Sequence, residues 1–72
     1  MEVSNAQREV LHILAKTGGS GTVKSVAQGL GSTSVYAWRL LNALVSVGLV
    51  EKVAWGFYRL TPKGWAVLNG EG

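Results

Sequence analysis

Arg39 and Asn42 lie three positions apart, close to one helical turn, in a stretch whose apolar residues recur at helical spacing. A guanidinium in such a place can pair with two acceptors on a guanine edge, grip a phosphate, or simply stand in water. A carboxamide one turn on can pair with adenine or do nothing. At about 100° per residue, with Leu44 pointed at the core, Thr33, Ala37, Leu40, Leu41, Val47 and Gly48 fall within roughly 60° of the same direction. The opposite face then holds Ser32, Val35, Trp38, Arg39, Asn42 and Ser46, flanked by Ser34 and Tyr36. Trp38, about 120° from the core direction, can cap the core edge, meet a partner chain, or contact sugars and thymine methyls. This face has one cation, no acid, an amide, hydroxyls and a tryptophan. A merely solvated helix face normally carries several Lys and Glu, so this one is composed for contact.

Other chemistries find no constellation. The acids are Glu2, Glu9, Glu51 and Glu71, and no pair is spaced for acid–base work. There is no Cys, which removes disulfides and thiolate metal sites, and His12 cannot form a metal site alone. His12 and Arg8 read as residues on the wet side of the first helix. Gly18-Gly19-Ser20-Gly21 lacks the Lys-Ser/Thr that completes a phosphate loop. Neither an enzyme nor a cofactor is expected. No run approaches the ~18 apolar residues of a membrane span. Met1-Glu2-Val3-Ser4-Asn5 has neither the basic start nor the apolar run of a signal peptide, so the expectation is a soluble cytoplasmic protein. At 72 residues, 47% of them hydrophobic, residues 1–72 are expected to form one domain with one modest core. The net charge is +3, and its distribution is uneven. From Lys24 to Lys63 five cations (Lys24, Arg39, Lys52, Arg59, Lys63) meet one acid, Glu51, for a local charge of +4. Ordinary solubilising charge is one reading; an anionic partner such as nucleic acid is favoured, because the cations coincide with the contact face and with the hairpin that follows it.

The elements that position these residues can be taken in order. Ser4-x-x-Gln7 forms a capping box opening a helix over about 5–17, with Val10, Leu11, Ile13 and Leu14 inward and Gly18-Gly19 ending it. Ser20-Gly21-Thr22 is a linker or a one-bridge strand. Thr22 caps a second helix over about 23–29, with Val23, Val26, Ala27 and Leu30 inward. Gly29-Leu30-Gly31 makes the tight turn that joins two helices of a helix-turn-helix. The third helix spans about 33–47, capped by Ser32 or Thr33. Gly48 ends it, and strands over 49–53 and 57–61 follow, meeting at Ala54-Trp55-Gly56. Alternation in the second strand puts Tyr58 and Leu60 inward. Trp55 at the tip has little to pack on; it folds back onto Lys52 or Arg59, or reaches toward a ligand. Thr61-Pro62-Lys63-Gly64 is an N-cap with Pro at the first helical position. The last helix runs to about Leu68 and carries Trp65, which reads as core. The expected ordered span is about 4–68, with Asn69-Gly70-Glu71-Gly72 frayed.

The run Leu41-x-x-Leu44-x-x-x-Gly48-Leu49-Val50, followed by Gly56-x-Tyr58-x-Leu60-Thr61-Pro62-Lys63-Gly64, resembles the winged helix-turn-helix domains of small bacterial and archaeal transcription regulators. It is most similar to those of the multiple-antibiotic-resistance-regulator and arsenic-repressor type, over Ser4 to Leu68. The implied fold class is α+β: a winged helix-turn-helix with a three-helix core, a two-stranded wing, a short third strand as an option, and a short C-terminal helix. The resemblance places the third helix in the DNA major groove and the wing on the backbone or minor groove. By position it makes Ser34, Val35, Tyr36, Trp38, Arg39 and Asn42 the readers, with Lys52, Trp55 and Arg59 on the wing. The reading helix has one cation where relatives often have two or three, and the chain lacks the long flanking helices through which many of them dimerise.

The expected function is sequence-specific recognition of double-stranded DNA by a transcription regulator. The alternatives are a protein–protein interaction module, in which Val35, Trp38, Trp55 and Phe57 form one apolar patch, and RNA or non-specific nucleic-acid binding. A single reading helix covers few base pairs, so a homodimer is expected on two half-sites. Its expected interface is helix 1 with helix 4, through Trp65 and Val67.

Overall fold

The computed structural model describes residues 3–70. Along the chain run α1 (Asn5–Lys16), β1 (Ser20–Thr22), α2 (Val23–Leu30), α3 (Ser34–Ser46), β2 (Val50–Ala54), β3 (Phe57–Leu60) and α4 (Pro62–Leu68). The fold is a winged helix-turn-helix.

Each helix starts on a hydroxyl. The Gln7 N–H donates to Ser4 Oγ, and the Ser4 N–H donates back to Gln7 Oε1, both at 3.1 Å, which closes the expected capping box. Thr22 and Ser25 exchange the same pair of bonds at 3.0 Å at the start of α2. Thr33 is the cap of α3, accepting the Tyr36 N–H at 3.1 Å, so the choice between Ser32 and Thr33 falls to Thr33. Thr61 caps α4 by accepting the Gly64 N–H, with Pro62 behind it. Helix ends repeat as well. Amides five residues on return to the last buried turn of the first three helices: Gly19 to the Leu14 carbonyl, Ser32 to that of Ala27, and Leu49 to that of Leu44. The return after α3 needs Gly48 at φ +80, a left-handed conformation that costs glycine nothing.

The sheet is antiparallel in the order β1-β3-β2. The expectation of a single bridge for Ser20–Thr22 is exceeded: Ser20, Gly21 and Thr22 pair with Arg59, Tyr58 and Phe57. Tyr58 and Leu60 point into the core, as the alternation requires. In β2, Val53 is extra between Lys52, opposite Tyr58, and Ala54, opposite Phe57. This bulge bends the hairpin just before its tip.

One apolar cluster holds the elements together. It contains Val10, Leu11 and Leu14 of α1, Val26 and Ala27 of α2, and Ala37, Leu41 and Leu44 of α3, with Leu49, Val50, Tyr58, Leu60 and Val67. Ile13, Val23, Leu30, Leu40 and Val47 pack on its rim. Thr33 and Gly48, which the helical wheel turned inward, are exposed. Both lie outside the helical phase: Thr33 has the extended backbone of a cap, and Gly48 sits in the left-handed turn. Asn69 and Gly70, expected to fray, donate to the carbonyls of Trp65 and Val67; Glu71 and Gly72 lie outside the described residues.

Helix α4 docks where α3 ends. The Thr61 hydroxyl donates to the Gly48 carbonyl at 2.6 Å, and the Thr61 N–H donates to the Leu49 carbonyl at 3.1 Å. Gly64 is buried against the same turn, and a Cβ there would fall on the Leu49 carbonyl oxygen. Of the residues that carry the family resemblance, Gly48, Leu49, Thr61 and Gly64 therefore make one joint between α3, β2 and α4.

Candidate nucleic-acid interface

Burial of Ala37, Leu41 and Leu44 sets the rotation of α3, and the Thr33 cap sets where it begins. The outward face follows from these two constraints. Val35 is 62% exposed and Trp38 50%. Ser34, Tyr36 and Arg39 are exposed beside them, and Asn42 is half-buried. Thus Val35, Trp38, Arg39 and Asn42, spaced i, i+3, i+4 and i+7, make one stripe along the helix. Of the possibilities for Trp38, the structure shows it half in water on this stripe. No acid occurs anywhere in α3 or α2.

The cations divide into two groups. Arg59 Nε donates to Glu51 Oε2 at 2.8 Å, across the β2–β3 register. Lys63 Nζ donates to the Val47 carbonyl at 3.1 Å, at the C-terminal end of α3, where a positive charge suits the helix dipole. That end is roughly 20 Å along the helix from Ser34, by the rise per residue. Lys24, Arg39 and Lys52 make no ion pair among the described residues. The local charge of +4 thus reduces, for a ligand, to three available cations around α3, the start of α2 and the hairpin. Arg59, placed among the wing contacts by resemblance, is first a cross-strand partner of Glu51.

The wing is short. Its turn is Trp55-Gly56, and the Gly56 carbonyl accepts the Val23 N–H at 3.0 Å, which ties the tip to the first residue of α2. Trp55 is 93% exposed, and the Lys52 ammonium lies 4.4 Å from its ring centroid. Of the alternatives for Trp55, its ring therefore meets Lys52 rather than Arg59. Lys24, absent from the expected readers, is exposed in the first turn of α2, next to Val23 and so next to the tied wing tip. The pairing of β1 with β3, ending at Thr22 opposite Phe57, and the Val23–Gly56 bond bring these segments together over a long sequence separation.

The expected dimer surface changes in one respect. Val67 is 7% exposed and belongs to the core, so it is not free for an interface. A seven-residue helix that docks through Gly64 turns Val67 inward on the same side. Trp65, expected in the core, is exposed instead and lies over Gly19, where a Cβ would come within 2.7 Å of its ring. No helix is long and apolar enough to cross a membrane, and no cluster of His, Asp or Glu able to hold a metal occurs, among the described residues.

The helix pair, the hairpin and this surface define a winged helix-turn-helix protein of the kind found in transcription regulators. The chain belongs to the family of O-methyltransferase dimerisation domains, whose family model matches residues 6–70. Among solved structures it is similar to reduced MarR from E. coli, with 27% identity and a TM-score of 0.86 over 99% of this chain and 52% of that one. It is similar to IdeR from T. acidophilum, with 27% identity and a TM-score of 0.74 over 96% of this chain and 33% of that one. Sso10a-2, a DNA-binding protein from Sulfolobus solfataricus, shares the fold at 24% identity, with a TM-score of 0.70 over 96% of this chain and 75% of that one. The chain thus spans about half the MarR chain and a third of the IdeR chain. No curated protein matches it.

Proposed function

We propose that this protein is a cytoplasmic transcription regulator that binds double-stranded DNA sequence-specifically, with α3 in the major groove and the wing tip against the backbone or minor groove. The observation that carries the reading is the outward stripe of α3. It presents a guanidinium, an amide, hydroxyls and an indole, with no acid in the helix, and Lys24 and Lys52 make no ion pair among the described residues. Ser34, Val35, Tyr36, Trp38, Arg39 and Asn42 read base edges and sugars; Lys52 and Lys24 hold phosphates; Trp55 touches DNA at the tip. Arg59 contributes less than its charge suggests, because Glu51 already holds it. Similarity to MarR at 27% identity supports regulation as the setting. The working form is a homodimer, supported by the family's description as a dimerisation domain, with α1 and the Trp65 side of α4 at the interface. No enzymatic activity is assigned to the chain.

A second reading is favoured by a specific observation. The same family description, together with the exposed Val35, Trp38, Trp55 and Phe57, suits a module whose business is protein contact. Selection from a random duplex library separates the two. Enrichment of a motif with two half-sites about one DNA turn apart supports the regulator. No enrichment, with self-association intact, supports the contact module.

A further inference from the structure

The wing tip has features that groove contact alone does not use. Trp55 is almost wholly in water, although a large aromatic ring there sacrifices burial that the small core could use. The ring is nonetheless positioned: Lys52 covers one side of it, and the turn that carries it is pinned through Gly56 to Val23. A tryptophan that anchors a protein partner usually enters a pocket within a ring of neutral contacts. Lys52 lies over this ring, and Lys24 follows in sequence the residue to which the tip is tied; both charges suit a polyanion. A two-residue turn tied to a helix cannot bend to follow a groove inward, so a base has to come to the ring. Indole faces stack on any nucleobase, and apolar side chains at such tips hold base steps open.

We propose that Trp55 is a stacking platform for a nucleobase displaced from the duplex at the edge of the bound site, with Lys52 clamping the ring from its other face. This rests on the DNA-binding reading above and goes further, because it makes an unpaired or easily unstacked position part of what is recognised. The exposure of Trp55 means that its replacement leaves the fold intact, which a thermal melt verifies.

The test is fluorescence anisotropy with hairpin duplexes of the selected sequence, either fully paired or carrying one unpaired adenine at successive positions. Wild type is expected to bind about tenfold more tightly when the unpaired base falls at the wing. Trp55→Ala loses that preference and binds the two duplexes alike, while Trp55→Phe keeps part of it. Equal binding of both duplexes by wild type, a preference that survives in Trp55→Ala, or an equal loss on both duplexes in that variant would overturn the platform. In each of these cases wild type still binds paired DNA and the regulator reading stands. Failure of wild type to bind any duplex removes both.

Discussion

Among the turns of this molecule built on a glycine in the left-handed region, those at Gly48 after α3 and Gly56 at the wing tip have sharply different surroundings. Around Gly48 the backbone groups are taken by specific partners. The Thr61 hydroxyl and N–H bond the Gly48 and Leu49 carbonyls, Lys63 bonds the Val47 carbonyl, and Gly64 fits against Leu49. Around Gly56 a single backbone bond reaches α2, and Trp55 projects into water. Every side chain at the first turn is accounted for by folding. At the second, the most conspicuous side chain is not, and that is where selection for a ligand has room to act.

Substitutions can break this contrast, beginning with the largest effect. Leu44→Ala at the base of the joint removes a fully buried side chain and should cost about 2–5 kcal/mol, enough to unfold much of so small a chain. Circular dichroism during heating reads it, and a midpoint within a few degrees of wild type would show the joint to be less rigid than described. Gly64→Ala should cost about 3 kcal/mol, because its methyl meets a backbone oxygen that cannot rotate away. A neutral result in denaturant titration would mean that α4 can slide off Leu49.

The functional side of the comparison is sharpened by binding. Arg39→Ala should lose about 1–3 kcal/mol on the selected site and relax preference at one base pair, with stability unchanged. An unaltered ratio between selected and scrambled duplexes would remove α3 as the reader. Lys52→Ala should weaken all duplexes alike and reduce the salt slope by about one. With Lys24 and Lys52 on phosphates the wild-type slope per chain should be about −1.8, at roughly −0.9 per phosphate. A slope much steeper than this, restored to the expected value by Arg59→Ala, would show that Glu51 releases Arg59 to DNA. Trp55→Ala should shift unfolding by under about 0.5 kcal/mol, and a larger loss would move the tip into the same class as the joint.

The fold was legible in the sequence because its joints use residues with narrow physical roles. Thr61-Pro62 announces a helix start and Gly48 a helix end, and both act there; the close approach of Gly64 to Leu49 has no such signal in the sequence. Helical phase placed Leu44, Leu41 and Ala37 in the core, and strand alternation placed Tyr58 and Leu60. The misplacements have a common cause. Thr33 and Gly48 sit one and two residues outside the helix, where phase no longer applies, and the inward turn of Val67 depends on how α4 docks. The outward face of α3 could be read residue by residue. The state of its charges could not, since the Arg59–Glu51 pair, the Lys63 bond and the tie from Gly56 to Val23 join segments separated along the chain.

The four hydroxyl caps carry one more consequence. Many helices begin on a carboxylate, whose hold on the first turn fades once it is protonated. Here Ser4, Thr22, Thr33 and Thr61 have no proton to gain in that range, and no first turn contains an acid. Acid unfolding draws mainly on carboxylates bonded in the native state. Among the described residues the bonded carboxylate is Glu51, in an exposed pair of the kind worth at most about 1 kcal/mol. The helices should therefore keep their starts in mildly acidic solution, leaving this small fold tolerant of acid in a way that aspartate-capped relatives of equal size would not be.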